Sequence, residues 1–281
     1  MKRLFYIVFS CLVLASCQKT IDDDTAGAGR LVVEGWIDSG GHPTVILTRS
    51  FSPMSTESTV LADLVVRWAK VTISDGERTE TMIGRIDNSM TPPFVYTTAQ
   101  ITGVPGRTYT ITAEYDGHRI VSSCTMPYPV DISHIDVTPV ADSDTLREVS
   151  LTFVPDRGGD RCYQLAVYDP SLSGRMLPCF MGAYEASSSV GDGAVTLTVY
   201  RPSTDTDGGN YTPYFRTGRT IMVALTSIAP EVWRFWHEYD DFTAFGGNIF
   251  LAGTIPMHGN IEGGYGIWSA RGIDVRKITI E

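Results

Sequence analysis

The sequence predicts a mainly β protein that consists of two antiparallel β-sandwiches, with one short amphipathic helix in the second. Apolar and polar residues alternate in most segments after Arg30, and this period of two is typical of half-buried strands. Turns that contain Gly or Pro separate these segments at short intervals. This spacing favours a sandwich of immunoglobulin-like or transthyretin-like type. A single later stretch repeats its apolar residues at helical spacing instead.

The first 16 residues have the features of a bacterial signal peptide. Two basic residues precede an apolar run from Leu4 to Ala15, which is shorter than the ~20 residues of a spanning helix. The segment LASC that follows resembles the lipobox of bacterial lipoproteins. This resemblance implies cleavage after Ser16 and lipidation of Cys17, and so an anchor in the outer membrane. A plain N-terminal membrane anchor and a core helix with an incidental cysteine are the alternatives.

An acidic polar segment follows the anchor cysteine. We expect residues 17–29 to form the lipidated cysteine and a flexible linker, because they contain Gly, Ala and Thr and no apolar periodicity. Within this linker, Asp22, Asp23 and Asp24 resemble the surface-export signal of Bacteroidetes lipoproteins. That resemblance implies display on the cell surface, with a periplasm-facing anchor as the alternative.

The charge of the chain excludes one class of partner. The 281 residues include 22 Lys and Arg against 32 Asp and Glu, which gives a formal net charge of −10. An acidic chain without basic clusters gains nothing from neutralising phosphates, so we expect no nucleic-acid partner. The length allows one large domain or two ordinary domains, each with its own core.

The segments between residues 30 and 127 form the predicted first sandwich. The clearest strand is TYTITAEY, in which Tyr109 and Ile111 face the same side. The dipeptide Asp116-Gly117 then predicts a two-residue hairpin turn before HRIVSSC. AKVTISDGERTETM repeats the pattern with its turn at Asp75-Gly76, and LVVEGWI and TVILT supply two further strands.

The segment MPYPVD interrupts this series and predicts a domain boundary. Two prolines within three residues cannot join a central strand, and they stiffen the chain. We therefore place the boundary between residues 127 and 128 and assign residues 128–281 to a second sandwich. Its strands are predicted from VSLTF, YQLAVY, VTLTVY and IMVALT, in which the alternation resumes.

The stretch SIAPEVWRFWHEYDDF predicts the single helix, near residues 230–242. Four apolar residues lie at i, i+3, i+4 and i+7, and so share one helical face: Val232, Phe235, Trp236 and Tyr239. We expect this face to pack on the protein's own sheet, with a sugar-stacking platform as the alternative. Trp233 lies off that face and is a candidate for contact with a ligand.

Three cysteines follow the leader and the anchor. Cys162 and Cys179 could form a disulfide within the second sandwich, because an exported protein meets oxidising conditions. Cys124 would then stay unpaired. Three reduced, buried thiols are the alternative.

Motifs of catalysis and metal binding are missing from the sequence. The five histidines lie outside H-E-x-x-H, and no G-x-S-x-G elbow occurs. We therefore expect no catalytic residue, no enzyme activity and no cofactor. Asp205 and Asp207 lie in a loop that loosely resembles a calcium site, but the loop lacks the glutamate that such a site needs. We expect a solvated turn and no metal.

The same loop continues into three aromatic residues: Tyr211, Tyr214 and Phe215. Tyrosines between glycines are typical of recognition loops. We therefore predict that these rings, together with Trp233, face a ligand. A loop whose rings fold onto its own sheet is the alternative.

Three segments carry a family resemblance: LVVEGWID, PGRTYTITAEYDGHRIVSSCTMP and HGNIEGGYGIWSARGIDVRKITI. They resemble a Bacteroidetes outer-membrane lipoprotein family known as domain of unknown function forty-two forty-nine. The family's asparagine, glycine pair and aromatic residue match Asn260, Gly263, Gly264 and Trp268. The resemblance implies an accessory role in nutrient capture or transport, because such proteins are commonly encoded near TonB-dependent receptors. It implies no catalytic residues.

Three functions are open at this point. The first is a lipid-anchored binding protein that captures a ligand or docks on a TonB-dependent receptor barrel. The second is a structural or adhesive surface lipoprotein without a small-molecule ligand. The third is a surface hydrolase whose site has no known motif. We expect the first, because an anchor and a flexible linker raise the effective concentration of a binding module near its partner.

Overall fold

The computed structural model describes residues 29–50, 61–158, 161–186, 193–203, 206–207, 210–245 and 257–281. Strand accounts for 54% of the structure and helix for 8%, so the predicted mainly β fold is confirmed. The predictions for Cys17 and for Asp22, Asp23 and Asp24 fall outside the described residues, as does Asp205. Within the described ranges, no helix combines the length and apolar character that a bilayer crossing requires.

The described residues form seventeen strands and one α-helix. The first eight strands are β1 (Leu31–Asp38), β2 (Thr44–Arg49), β3 (Lys70–Ser74), β4 (Thr79–Ile86), β5 (Phe94–Thr97), β6 (Thr108–Tyr115), β7 (His118–Thr125) and β8 (Ile132–Pro139). The others are β9 (Leu146–Phe153), β10 (Cys162–Tyr168), β11 (Leu177–Glu185), β12 (Val195–Val199), β13 (Thr206–Asp207), β14 (Asn210–Tyr211), β15 (Phe215–Arg216), β16 (Thr220–Ile228) and β17 (Tyr265–Thr279). The helix α1 spans Pro230–Phe245, and a short 3-10 helix spans Leu61–Leu64.

Eleven strands form one large sheet, in the order β11-β10-β16-β17-β1-β2-β5-β4-β3-β6-β7. The fifteen-residue strand β17 is the fourth strand in this order. Its first half pairs with β1 in parallel, as in the register of Trp36 with Ser269. Its second half pairs with β16 antiparallel, as in the register of Ser227 with Gly272. One sheet therefore runs through both predicted sandwiches, and the division between residues 127 and 128 stays a prediction.

A smaller sheet lies in the second half of the chain. It has β9 at its centre, with β8 along one edge and β12 and β15 along the other. Three alternate apolar residues of β9 point to one side and are fully buried: Val149, Leu151 and Phe153. They pack on the apolar side chains of β10 and β16, so two sheet faces meet around one core as in a β-sandwich.

The buried apolar residues fall into two clusters. The first core combines β1 to β7 with residues of β17 and the start of α1. The second core is formed by residues of β8 to β12, β15 and β16. Trp268 is fully buried in the first core and its indole Nε1 donates a hydrogen bond to the Tyr109 carbonyl oxygen at 3.0 Å. Asn260 holds the backbone at Trp268, because its Oδ1 accepts from the Trp268 N–H at 2.9 Å and its Nδ2 donates to the Trp268 carbonyl at 2.7 Å.

The predicted hairpin turn between β6 and β7 is confirmed. Asp116 and Gly117 are the two residues between these strands, with φ of 49° and 77°. Positive φ at both positions is the geometry of a type I′ turn, which matches the twist of the flanking strands. Gly263 precedes β17 with φ of 80°, and a Cβ there would lie 2.5 Å from the Arg119 carbonyl oxygen, so only glycine suits this position.

The predicted helix is confirmed and extends to Phe245. Val232 is fully buried in the first core, whereas Phe235, Trp236 and Tyr239 are only half-buried. The aromatic stripe therefore packs only in part on the protein's own sheet. The rest of its surface borders an open groove.

The three described cysteines are buried and form no disulfide. Cys124 and Cys162 lie in the first core and Cys179 lies in the second. The disulfide between Cys162 and Cys179 does not form, and the alternative of reduced, buried thiols is what the structure shows. Burial raises the pKa of the Cys124 thiol to about 11, which makes this thiol a small apolar side chain at neutral pH.

Candidate ligand-binding groove

A groove lies between the outer face of β1 and β17 and a wall made by α1 and residues 174–178. Its polar end has a volume of about 280 Å³ and its apolar end about 360 Å³. The two ends share Glu34, Arg175 and Trp236 as lining residues. They form one continuous site, which we call the helix groove.

The sheet wall of the groove follows from the alternation in LVVEGWID. Leu31, Val33 and Ile37 point into the first core, so Glu34, Trp36 and Asp38 point away from it. The neighbouring strand β17 adds its own outward residues to this face: Ile267, Ser269 and Arg271. The opposite face of these two strands packs into the first core.

The opposite wall is aromatic. The rings of Phe235 and Trp236 meet edge to face with centroids 5.4 Å apart, and those of Trp236 and Tyr239 meet the same way at 5.6 Å. Such edge-to-face pairs are favoured by the aromatic quadrupole. Phe242, 39% exposed, extends this wall along the apolar end of the groove.

Two ion pairs occupy the polar end. Arg271 binds Asp38 through two parallel hydrogen bonds, from Nε to Oδ1 at 2.6 Å and from Nη2 to Oδ2 at 3.0 Å. Its guanidinium lies 5.4 Å from the centre of the Trp36 ring, close enough for a cation–π contact. Arg175 Nη1 donates to Glu34 Oε1 at 2.7 Å and so connects the two walls. The polar end is rich in charge but has no net charge.

One buried hydroxyl in the groove has no hydrogen-bond partner within the described part of the chain. Ser269 lines the polar end and is 3% exposed, and its Oγ is unpaired. A buried polar atom without a partner costs ~1–3 kcal/mol. A ligand that hydrogen-bonds this hydroxyl would recover that free energy.

The helix wall is fastened to the sheet through a buried carboxylate. Asp240 is 6% exposed and accepts hydrogen bonds from the backbone N–H groups of Met181 and Ala183 in β11, both at 3.1 Å. Burial raises the pKa of Asp240 to about 6, and the two backbone hydrogen bonds offset part of that rise. This contact fixes the helix to the edge strand β11.

The sequence matches the model of the family described as a domain of unknown function, DUF4249, over residues 18–275. The chain belongs to the DUF4249 family. The comparison with curated proteins gives no match. In this DUF4249 protein, the motif residues Asn260, Gly263 and Trp268 have structural roles in the first core and at the start of β17.

None of the four predicted ligand-facing residues lines the helix groove of the DUF4249 protein. Phe215 is 2% exposed and belongs to the second core, so the prediction of a ligand-facing ring there is wrong. Tyr211 is half-buried and its hydroxyl donates to the Arg201 carbonyl at 2.8 Å. Tyr214 is half-buried as well.

Trp233 lies on a different side of α1 from the groove. It is half-buried, packs against the first core and stacks on His237 with ring centroids 5.0 Å apart. The sequence predicted that Trp233 is exposed and contacts a ligand, but its ring contacts His237 and the first core instead.

The groove residues were present in the sequence without being recognised as a site. The strand LVVEGWID places two carboxylates and an indole on one face, and this pattern could have indicated a binding surface. Arg175 and Arg271 have no such signal, because they reach Glu34 and Asp38 from more than a hundred residues away along the chain.

A second cleft of about 490 Å³ lies beside the predicted domain boundary. Tyr128, Asp156, Ser227 and Glu231 are among its lining residues. No tryptophan lines this cleft, whereas the helix groove has Trp36 and Trp236. Because aromatic and apolar lining with a few polar groups is typical of small-molecule sites, we favour the helix groove as the functional site.

Proposed function

We propose that this DUF4249 protein is a lipid-anchored binding protein of the cell envelope that holds a small ligand in the helix groove. It serves a TonB-dependent receptor as an accessory in nutrient capture. The observation that carries the proposal is the groove itself, in which an aromatic wall faces two ion pairs and the Ser269 hydroxyl, which has no hydrogen-bond partner among the described residues. Such a combination is typical of a small-molecule site.

Anchoring is supported by the leader sequence. The segment LASC ends in Cys17, and the acidic linker up to residue 29 precedes the first strand at Leu31. Lipidation at Cys17 would hold the folded part close to the membrane while the linker lets it reorient. A binding protein held in this way meets its receptor at a high effective concentration.

The edges of the large sheet favour a binding protein over an adhesive one that adds strands from a partner. At one edge, the N–H groups of Met181 and Ala183 in β11 are already bonded to Asp240. At the other edge, the N–H and C=O groups of Val121 in β7 pair with Glu262. These contacts occupy part of each edge, which reduces the number of free groups available for β-augmentation.

The receptor association can be tested by affinity purification in mild detergent. The wild-type protein, purified from its native envelope, is expected to bring a TonB-dependent receptor along at near-stoichiometric yield. The Cys17→Ala variant is the matched control, and we expect it in the soluble fraction with far less receptor. Purification of the wild-type protein alone, or unchanged membrane fractionation of the variant, would contradict the proposal.

A further inference from the structure

We infer that the helix groove takes an uncharged amphipathic ligand, with an apolar group against α1 and a hydroxyl-bearing polar group against the two ion pairs. The inference rests on the proposed function of the groove as a binding site. It adds the chemical class of the ligand, which neither the family match nor the sequence motifs specify.

The ion pairs discriminate against charged ligands. Arg271 and Arg175 are already neutralised by Asp38 and Glu34, at distances of 2.6 to 3.0 Å. An anionic group would compete with these carboxylates for the arginines, and a cationic group would compete with the arginines for the carboxylates. Either would break a partly buried, charge-assisted pair and leave one of its members unpaired. A neutral group avoids this cost.

The ion pairs at the polar end still have hydrogen-bond donors and acceptors to which a ligand hydroxyl can bond. A guanidinium has five N–H donors. Arg271 uses two of them on Asp38, and Arg175 uses one on Glu34. Each carboxylate oxygen can accept a further hydrogen bond. Because a hydroxyl both donates and accepts, it can bridge a carboxylate and a guanidinium without displacing either one.

The Ser269 hydroxyl indicates the same chemistry. It is 3% exposed, lines the polar end and has no hydrogen-bond partner in the part of the chain that the structure describes. It lies in register with Trp36 on the neighbouring strand β1. Along this face it is therefore flanked by the level of Glu34 on one side and by the level of Asp38 on the other. A ligand hydroxyl can both donate to this group and accept from it.

The apolar end selects the other half of the ligand. Its lining includes Leu177, Phe235, Phe242 and Met257. Phe242 and Met257 are 39% and 42% exposed, and covering them with an apolar group would remove that surface from water. The volumes of the two ends, about 280 and 360 Å³, suit a small molecule with one polar and one apolar part.

Three probes with the same octyl tail separate the effect of the head group from that of the tail: octyl β-glucoside, octanoate and octylammonium. Each is titrated into the purified protein below its critical micelle concentration. Binding is followed by calorimetry and by the fluorescence of the tryptophans. We expect saturable binding of octyl β-glucoside and at least ~10-fold weaker binding of the two charged probes.

The outcomes distinguish the inference from the proposed function. If a charged probe binds as tightly as the glucoside, the inferred ligand class is wrong, but the groove remains a binding site. If none of the three probes saturates the protein, the groove is not the site, and the proposed function fails with the inference.

Two variants test the placement of the ligand. Ser269→Ala is expected to weaken octyl β-glucoside ~5-fold and to leave the charged probes unchanged, because one hydrogen bond is lost. Phe242→Ala is expected to weaken all three probes, because it shortens the apolar wall. Trp68→Ala, at an 88% exposed position outside the groove lining, is the control and should change nothing. Unaltered glucoside binding by both groove variants would overturn the placement.

Discussion

The two walls of the helix groove are held in place in different ways. The sheet wall is the rear face of β1 and β17, and its front face is the first core, where Trp268 is fully buried. The helix wall rests on the first core through the buried Val232 and the partly buried Trp233, Phe235 and Trp236, and polar contacts hold it further. Asp240 binds the edge of β11, and Arg175 reaches across to Glu34. The position of one wall is therefore set by full burial in the core, and that of the other by partial packing together with a few hydrogen bonds.

This difference assigns different tasks to the walls. Close packing tolerates little displacement, so the sheet wall presents its ion pairs in a fixed geometry. Polar contacts that include a titratable carboxylate can change with pH or with ligand binding. We therefore expect conditions that perturb the groove to act first on the helix wall.

The largest effect on the free energy of unfolding is expected from a substitution on the core side of the sheet wall. Trp268→Ala removes a fully buried indole and its hydrogen bond to the Tyr109 carbonyl, and should lower the free energy of unfolding by ~3–5 kcal/mol. Urea denaturation measures this change. Trp68→Ala is the matched control, because Trp68 is 88% exposed, and its effect should stay within ~0.5 kcal/mol. Similar losses for both variants would contradict the packing of Trp268.

A smaller effect is expected at the helix wall, and it depends on pH. The pKa of Asp240 is raised from 3.8 to about 6 in the folded chain. The folded state therefore binds this proton more tightly than the unfolded state does, and the resulting stabilisation is complete below the unfolded pKa and lost as pH rises through about 6. Between about pH 5 and pH 7, wild type should lose ~1 kcal/mol of stability from this group.

The Asp240→Asn variant isolates that contribution. Its amide does not titrate, so the difference in unfolding free energy between wild type and variant should shift in favour of wild type on acidification. The comparison also cancels the carboxylates of Asp75 and Asp169, whose pKa values are lowered in the folded chain. A difference that stays constant over this pH range would show that Asp240 is not perturbed by burial.

The smallest effect on stability is expected from a substitution on the groove face of the sheet wall. Ser269→Ala removes a hydroxyl without a partner in the described residues, and should leave the stability unchanged or raise it by up to ~1 kcal/mol. Ser122 is the matched control, because it is also 3% exposed but donates to the Asn260 carbonyl at 2.7 Å. Ser122→Ala should lower the stability by ~1 kcal/mol. A loss of that size for Ser269→Ala would show that its hydroxyl is bonded.

The local elements could be predicted well from the sequence. Alternation in TYTITAEY and the Asp116-Gly117 turn depend on neighbouring residues alone, and both are observed. The helix at Pro230 follows from its 3.6-residue period in the same way. Such signals depend on residues that are close together in the sequence, so they can be recognised without knowledge of long-range contacts.

The candidate site could not be predicted in the same way. Asp38 and Arg271 meet only because β17 lies beside β1. Glu34 and Arg175 meet only because residues 174–178 lie against the outer face of β1. The sequence signal of exposed aromatics favoured the loop at Tyr211 and Phe215, yet tertiary packing buries Phe215. Periodicity indicates that a residue points inward, but it does not identify which element covers it.

The shared strand β17 also affects how the chain can fold. The first core combines β1 to β7 with Trp268 and Ala270 of β17 and with residues of β10, β16 and α1, so more than a hundred residues after β7 must be synthesised before that core can close. Joining such distant segments carries a loop-closure cost and is typical of slow folding. A fragment of residues 30–127 is therefore expected to expose an unfilled core, and in the whole chain this apolar face stays uncovered until β17 has been synthesised.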